Sequence, residues 1–167
     1  YLGEYDSALE FFQRARLIKA ELGESVGVAD ILANVGDIKQ LQDRFDEAIT
    51  IHEEALAMRR REGGDLRIAQ SLRSLSAALL GSGREREALD RIHEALELVR
   101  RIGAEPELAV CLAVEAEVLA AMGRGEQAVD SATAGLELAR RLGTKGYEIA
   151  ALDAETLTYH PTLVAVV

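Results

Sequence analysis

Two histidines, His52 and His93, are each followed directly by a glutamate, which is how a helical zinc-binding motif begins. That motif needs a second histidine four residues after the first, because side chains four apart share one face of a helix. Leu56 and Glu97 occupy those positions instead. We therefore predict no metal site and interpret both histidines as fillers of amphipathic helices.

The remaining residues with catalytic potential also lack the partners that catalysis needs. Cys111 is the single cysteine, so an intramolecular disulfide is excluded and we expect its thiol to pack inside a helix pair. The sequence has no glycine-rich phosphate loop ending in Lys-Ser or Lys-Thr and no Gly-x-Ser-x-Gly turn. Carboxylates that precede an arginine by one helical turn, such as Glu87 before Arg91, are typical of a solvated surface. We predict neither enzymatic activity nor a cofactor.

Charge and hydropathy exclude two classes of partner. The net charge is −10, with 29 acidic and 19 basic residues, whereas binding to nucleic-acid phosphates needs clustered Lys and Arg. The arginine runs at 59–61 and 100–101 lie at predicted helix C-termini, where cations complement the helix dipole. The longest apolar runs, such as 108–114, are far shorter than the ~20 residues that span a bilayer. We predict no contact with nucleic acid or membrane, and the lone cysteine favours a reducing, cytoplasmic setting.

The composition favours helices, and a fixed period organises them. Two prolines, no tryptophan and 4% aromatic residues predict an all-α fold rather than a sheet. Similar segments recur at an offset of 40 residues, marked by Ala8, Ala48, Ala88 and Ala128. Seven positions later in each segment stand Ala15, Ala55, Ala95 and Gly135. Such a period predicts stacked units, each of which buries its apolar face against a neighbour.

Local signals divide each unit into two helices. In one unit, Ser25 is the predicted N-cap of a first helix that runs to about Leu41, followed by a turn at Asp43. A second helix is predicted from about Phe45 to Glu62, ended by two glycines that tolerate left-handed backbone. The small residues on one stripe of the second helix would let the paired helices approach closely.

Later units repeat these signals. Asp65 and Thr144 are predicted caps of first helices, and Pro106 suits the first turn of another. The predicted array covers 1–159, with a partial unit 1–23, units 24–63, 64–103 and 104–143, and a partial unit 144–159. Residues 160–167 would form a C-terminal tail. Because neither end shows an obvious polar capping element, we expect a fragment of a longer protein or ends that pair with other chains.

A family resemblance rests on residues that hold fixed places in one unit: Leu32, Val35, Gly36, Asp43, Ala48 and Ala55. Together they resemble the tetratricopeptide repeat, in the forty-residue variety found in kinesin light chains, spindle-orientation adaptors and many bacterial regulators and signalling ATPases. The resemblance extends to about Leu157. It implies a right-handed superhelical solenoid of antiparallel helical hairpins, in which the first helices form a concave wall that binds extended or helical peptides.

The same resemblance implies which side chains line this concave wall. They are Asp30, Asn34, Asp37, Gln70, Arg73, Ser74, Ala77, Val110, Ala113, Val114 and Glu117, with Asp153 in the last partial unit. Asn34 matches the asparagine that holds the ligand backbone in this variety. The set describes a mildly acidic groove with an apolar stretch around Val110 and Val114. We hypothesise that a peptide or helix with basic and apolar side chains binds there, and a solvated face without a ligand is the alternative.

Two functions agree with this pattern. The first is a protein–protein interaction scaffold that binds a peptide or helix in its groove. The second is a sensory, autoinhibitory or self-association arm of a larger bacterial transcriptional regulator or signalling ATPase. Self-association through ends without caps belongs to the second function.

Overall fold

The computed structural model describes residues 2–23 and 25–143, which fold into helices with no strand among them. In chain order the helices are α1 (Leu2–Glu21), α2 (Ser25–Leu41), α3 (Phe45–Glu62), α4 (Asp65–Gly81), α5 (Glu85–Ile102), α6 (Glu105–Ala121) and α7 (Gly125–Leu142). The all-α prediction is confirmed, and α3 covers the predicted second helix. The predictions for Thr144, Asp153, the partial unit 144–159 and the tail 160–167 lie outside the described residues.

The helix starts differ from prediction at two predicted caps. Helix α2 begins at Ser25 itself, so Ser25 is its first helical residue rather than the cap before it. Helix α4 begins at Asp65, and its N-cap is Gly64, which has no side chain to bond the free amides. Asp65 instead places its carboxylate in the first turn, which favours negative charge, and pairs with Arg101 at 2.9 Å. Pro106 lies in the first turn of α6 as predicted.

Helices pair into antiparallel hairpins and the hairpins stack into a solenoid. Helix α2 packs on α3, α4 on α5 and α6 on α7, and each second helix also packs on the first helix of the next hairpin. The backbones of the first helices come close to one another, α2 to α4 and α4 to α6, whereas the backbones of α3 and α5, and of α5 and α7, stay apart in the described chain. The stack therefore curves, with α2, α4 and α6 on the concave side.

The core explains the repeated alanines. Ala48, Ala55, Ala88 and Ala95 are all completely buried, because they stand where the helices of a hairpin cross closely. Leucines such as Leu72 and Leu75 fill the space beside them, and burying one such side chain stabilises the fold by about 1.5–3 kcal/mol. None of the helices in 2–23 and 25–143 is long and apolar enough to cross a membrane.

Candidate functional site

The concave face of α2 presents four residues on one helical stripe: Asp30, Asn34, Asp37 and Leu41. Their spacing of four, three and four residues keeps them on the same side of the helix. Asn34 is exposed, and the side chains of Asp30 and Asp37 are about half exposed. Leu41 is 66% exposed, which is high for an apolar residue of a packed helix. The stripe therefore offers carboxylates, an amide and an apolar end to solvent.

An open cavity of about 440 Å³ lies where this stripe meets α4. Its walls are Asp37, Gln40, Leu41, Phe45, Arg73, Ser74 and Ala77. Asp37, Arg73, Ser74 and Ala77 are among the predicted groove residues, and the structure brings them together. The prediction does not include Gln40, Leu41 and Phe45. Leu41 could have been found, because it continues the stripe of Asp37 by four residues.

Two predicted groove residues on α4 bond to α6 in the next unit. The Arg73 guanidinium donates through Nε to Glu107 Oε1 at 2.7 Å, and the Gln70 amide donates to Glu107 Oε2 at 3.3 Å. Glu107 is nearly buried, with 11% of its side chain exposed. This bridge holds neighbouring first helices together and offsets the charge of Arg73.

The predicted apolar stretch on α6 is wrong. Ala113 and Val114 are only 2% and 8% exposed, and Val114 belongs to the core that also contains Leu75 and Leu79. Ala113 packs with Ala116 and Ala132, towards α7. Only Val110 and Glu117 remain half-buried. Among the apolar residues of this region Leu41 is exposed, whereas Phe45 and Ala77 are half-buried like Val110.

Burial and neighbouring groups set the charge of Asp37. The cavity walls remove part of its hydration and raise its pKa, although Arg73, Arg59 and the Ser74 hydroxyl act in the opposite direction. The nearest ionisable partner is the His52 ring, whose Nε2 lies 3.6 Å from Oδ1 of Asp37. Burial, followed by Arg59 and Arg73, lowers the pKa of His52 to about 4, so the ring is neutral at pH 7. Asp37 thus lacks a charged partner within 4 Å in the described residues.

His52 is not the simple amphipathic filler that the sequence predicts. Its ring is completely buried, and its Nε2 lies 2.8 Å from the amide nitrogen of Gln40, which lines the cavity. Its Nδ1 is buried with no hydrogen-bond partner. The His52 ring is therefore buried between α2 and α3 and contacts the cavity wall through Gln40.

Arg59 also departs from its prediction as an end-of-helix charge. It lies in the last turn of α3 but is 7% exposed. Its guanidinium donates to Asp30 Oδ1 at 2.8 Å, to Ser71 Oγ at 2.8 Å and to the carbonyl of Arg67 at 3.1 Å. The charge of Asp30 is therefore balanced by the buried guanidinium of Arg59. The same guanidinium links α2, α3 and α4.

A cluster of Ser131, Glu115 and His93 has the residue types of a hydrolase but not the arrangement. The Ser131 hydroxyl donates to Glu115 Oε2 at 2.7 Å, and His93 Nε2 lies 3.0 Å from Glu115 Oε1. The carboxylate, rather than the imidazole, accepts the hydrogen bond of the hydroxyl, so His93 is not placed to activate Ser131.

Cys111 is buried, and its surroundings disfavour the charged form. Burial, assisted by Glu107, raises the pKa of the Cys111 thiol to about 12, so the reactive thiolate is suppressed at neutral pH. Within 2–23 and 25–143, no group of three His, Cys, Asp or Glu side chains could hold a metal ion.

A second exposed surface lies on α1, away from the cavity. On α1, Phe11, Leu17 and Ile18 are each more than half exposed, as is Leu22 just after the helix ends. Phe11 and Ile18 are seven residues apart and share one stripe, as in a helix that receives another helix. The described residues thus carry an exposed apolar stripe on α1 as well as the α2–α4 cavity.

Comparisons with known proteins agree with this architecture. A family model with the description "Tetratricopeptide repeat" matches residues 1–61 and 27–101, which is more than half of the chain. A search of curated proteins found no match.

Several solved structures share the fold at low sequence identity. BtubC (BKLC) from P. vanneervenii is 18% identical with a TM-score of 0.75, covering 95% of this chain, which spans 65% of the length of that protein. A second structure shows the nearly identical TPR-like repeats of a Podosopora anserina protein named as a kinesin light chain. Its sequence is 15% identical to this chain, the TM-score is 0.72, and the match covers 95% of this chain and 79% of that one. A variant of the same repeats with one substitution is 14% identical to this chain, with a TM-score of 0.73. The match covers 95% of this chain and 78% of the variant.

Proposed function

Since this chain belongs to the tetratricopeptide repeat family, we propose that it is a protein-interaction scaffold that binds a peptide or helix of another protein on its concave face. Proteins of this family generally bind other proteins. This chain would bind its partner on the concave wall that α2, α4 and α6 form. Stacked helical repeats form extended concave surfaces suited to such segments.

One observation carries this proposal: the cavity between α2 and α4. It is open, and its walls combine a carboxylate, a guanidinium, a hydroxyl, an amide and three apolar side chains. Binding sites commonly pair apolar surface with a few polar groups that fix the orientation of the ligand. Elsewhere on the concave wall, Val114 is buried, and within the cavity Arg73 is already bonded to Glu107.

A peptide selection with matched blocking variants tests this function. Peptides selected from a random library on the full chain are expected to bind the wild type and to lose binding to Asn34→Trp and Ala77→Trp. Glu97→Trp, on the exposed side of α5, is the control and should bind like the wild type. Circular dichroism and melting temperatures check that all three variants fold. Binding that survives both inner substitutions would show that the concave face is not used.

A second candidate function, a self-association arm, is favoured by the exposed stripe of α1. Phe11 is 68% exposed and Ile18 57%, and two copies could cover these side chains mutually. Light scattering after size-exclusion chromatography should then show a dimer that Phe11→Glu and Ile18→Glu convert to a monomer. A wild-type chain that stays monomeric at every concentration would eliminate this candidate.

A further inference from the structure

We propose that the α2–α4 cavity receives a partner segment in which a Lys or Arg side chain stands near a large apolar one, the cation binding Asp37 and the apolar group packing on Leu41 and Phe45. This inference rests on the proposed function, because it names the class of segment that the concave face selects. It also moves the apolar subsite from α6 to the end of α2 and the start of α3.

The two charged side chains of the cavity wall, Asp37 and Arg73, differ in whether they are already paired. Arg73 is the basic residue of the cavity wall, and its guanidinium is already held by Glu107 at 2.7 Å. Lys39, near the end of α2, pairs with Glu47 at 3.3 Å and is only 12% exposed. Asp37 keeps about half of its side chain exposed and faces the neutral ring of His52. An incoming ammonium or guanidinium group would therefore find a carboxylate whose charge is not yet paired.

The carboxylate of Asp37 disfavours an anionic segment. Helices α2 and α4, between which the cavity lies, carry three acidic and three basic residues, so the preference rests on Asp37 rather than on the net charge of the helices. An approaching carboxylate or phosphate would meet Asp37 at close range, in a place where burial already raises the pKa of that group. Like charges at such distances repel, and partial removal of water strengthens the repulsion.

The apolar subsite combines one exposed side chain, Leu41, with two half-buried ones, Phe45 and Ala77. Leu41 is 66% exposed at the end of α2. Phe45 lies against Gly81 of α4, where an added Cβ would clash with its ring. Ala77 is a small residue of the same cavity wall. Leu41 lies one helical turn after Asp37, and Leu41 and Phe45 line the same cavity as Asp37, within reach of neighbouring side chains of one segment.

Two peptide libraries of equal length test the inference. In one, the randomised positions carry Lys, Arg, Leu or Phe, and in the other they carry Asp, Glu, Leu or Phe. The basic library is expected to yield binders on the full chain. Asp37→Asn should weaken those binders by about tenfold, since a charge-assisted contact is lost. Asp37→Lys should switch the preference to the acidic library.

Matched controls separate local effects from general ones. Asp90→Lys on the exposed side of α5 changes the net charge as Asp37→Lys does and should leave the preference unchanged. Leu41→Ser should weaken binding severalfold, whereas Leu66→Ser, at another exposed leucine, should not. Because Leu41 is exposed, its substitution should not impair folding, and equal melting temperatures verify this.

The failure of this inference can be told apart from the failure of the proposed function. If acidic peptides are selected on the wild type, or if Asp37→Lys leaves the preference unchanged while Asn34→Trp abolishes binding, the inference is overturned and the groove remains a binding site. If Asn34→Trp and Ala77→Trp also leave binding intact, both proposals fall.

Discussion

The imidazole of His52 occupies the space that a side chain on Gly36 would need. An ideal Cβ on Gly36 would lie 2.5 Å from Cε1 and 2.8 Å from Nδ1 of the ring, closer than real Cβ contacts come. The positions 40 residues further on hold Ser76 with Ile92, and the next hold Ala116 with Ala132. Of these three units, the one with a histidine at this position is also the one with a glycine opposite it. The His52 ring fits because Gly36 has no side chain.

Gly36→Ala should therefore destabilise the fold, although an alanine inside a helix is usually better than a glycine by about 0.5–1 kcal/mol. Overpacking should lower the free energy of unfolding by about 1–3 kcal/mol, measured by urea denaturation. Gly125→Ala is the control, because nothing lies within 4 Å of a Cβ there, and it should not destabilise. Adding His52→Ala to Gly36→Ala should recover part of the loss. Additive effects of the two substitutions would contradict the contact.

The buried His52 should make the fold less stable at acidic pH. Its pKa is lowered to about 4 in the folded chain, whereas an unfolded histidine titrates near ~6.5. Between these pH values the unfolded state binds more protons than the folded state. The contribution of His52 to stability is therefore complete above pH ~6.5 and is lost as the pH falls to about 4. The total loss in the free energy of unfolding is roughly 3 kcal/mol. Asp37, Arg59, Arg73 and the Gln40 amide surround the ring, and the raised pKa of Asp37 acts in the opposite direction.

The contribution of His52 is isolated by comparison with His52→Phe, which places the residue type of Phe12 at the matching position. Urea denaturation at a series of pH values should show that the wild type loses stability relative to this variant as the pH falls from 7 to 4. A difference that stays constant over this range would mean that His52 takes up its proton equally in both states.

The turn between α2 and α3 should gain stability from a glycine. Asp43 adopts a φ of 56°, while Gly83 and Gly123 occupy the same place in the later turns with φ values of 75° and 73°. The backbone bonds are alike, since Asp43 donates to Gln40 and Gly83 to Leu80. Left-handed backbone disfavours a residue with a Cβ, so Asp43→Gly should raise the free energy of unfolding by about 0.5–1 kcal/mol. Gly83→Asp should lower it by a similar amount, and thermal melts of both variants give the comparison.

Sequence reasoning locates the helices well because each boundary has a local cause. Phe45 and Glu62 bound α3 as predicted, since a turn precedes that helix and two glycines follow it. The repeated alanines identify the buried stripe, because Ala48 and Ala55 must face a neighbouring helix at close range. These features depend on residues near one another in the chain.

The site is predictable only in part, because it depends on how the helices rotate against one another. Val114 and Ser74 hold matching places in their units, yet Val114 is buried and Ser74 lines the cavity. A small rotation moves a boundary position from the surface into the core, and periodicity does not specify it. From the sequence, the run of arginines at 59–61 predicts that Arg59 complements the dipole at the C-terminus of its helix. Its burial depends on Asp30 and Ser71, which belong to other helices.

The buried Arg59 should contribute far more to stability than the exposed arginine beside it. Arg59→Met keeps much of the side-chain volume but leaves Ser71 without its partner and removes the pair with Asp30, so the free energy of unfolding should fall by about 2–4 kcal/mol. Arg60 pairs with Glu94 at 2.6 Å, but both side chains are more than one-third exposed. Arg60→Met should therefore change the free energy of unfolding by less than about 1 kcal/mol. Chemical denaturation of the two variants decides the matter, and equal losses would show that Arg59 is not the tie between α2, α3 and α4.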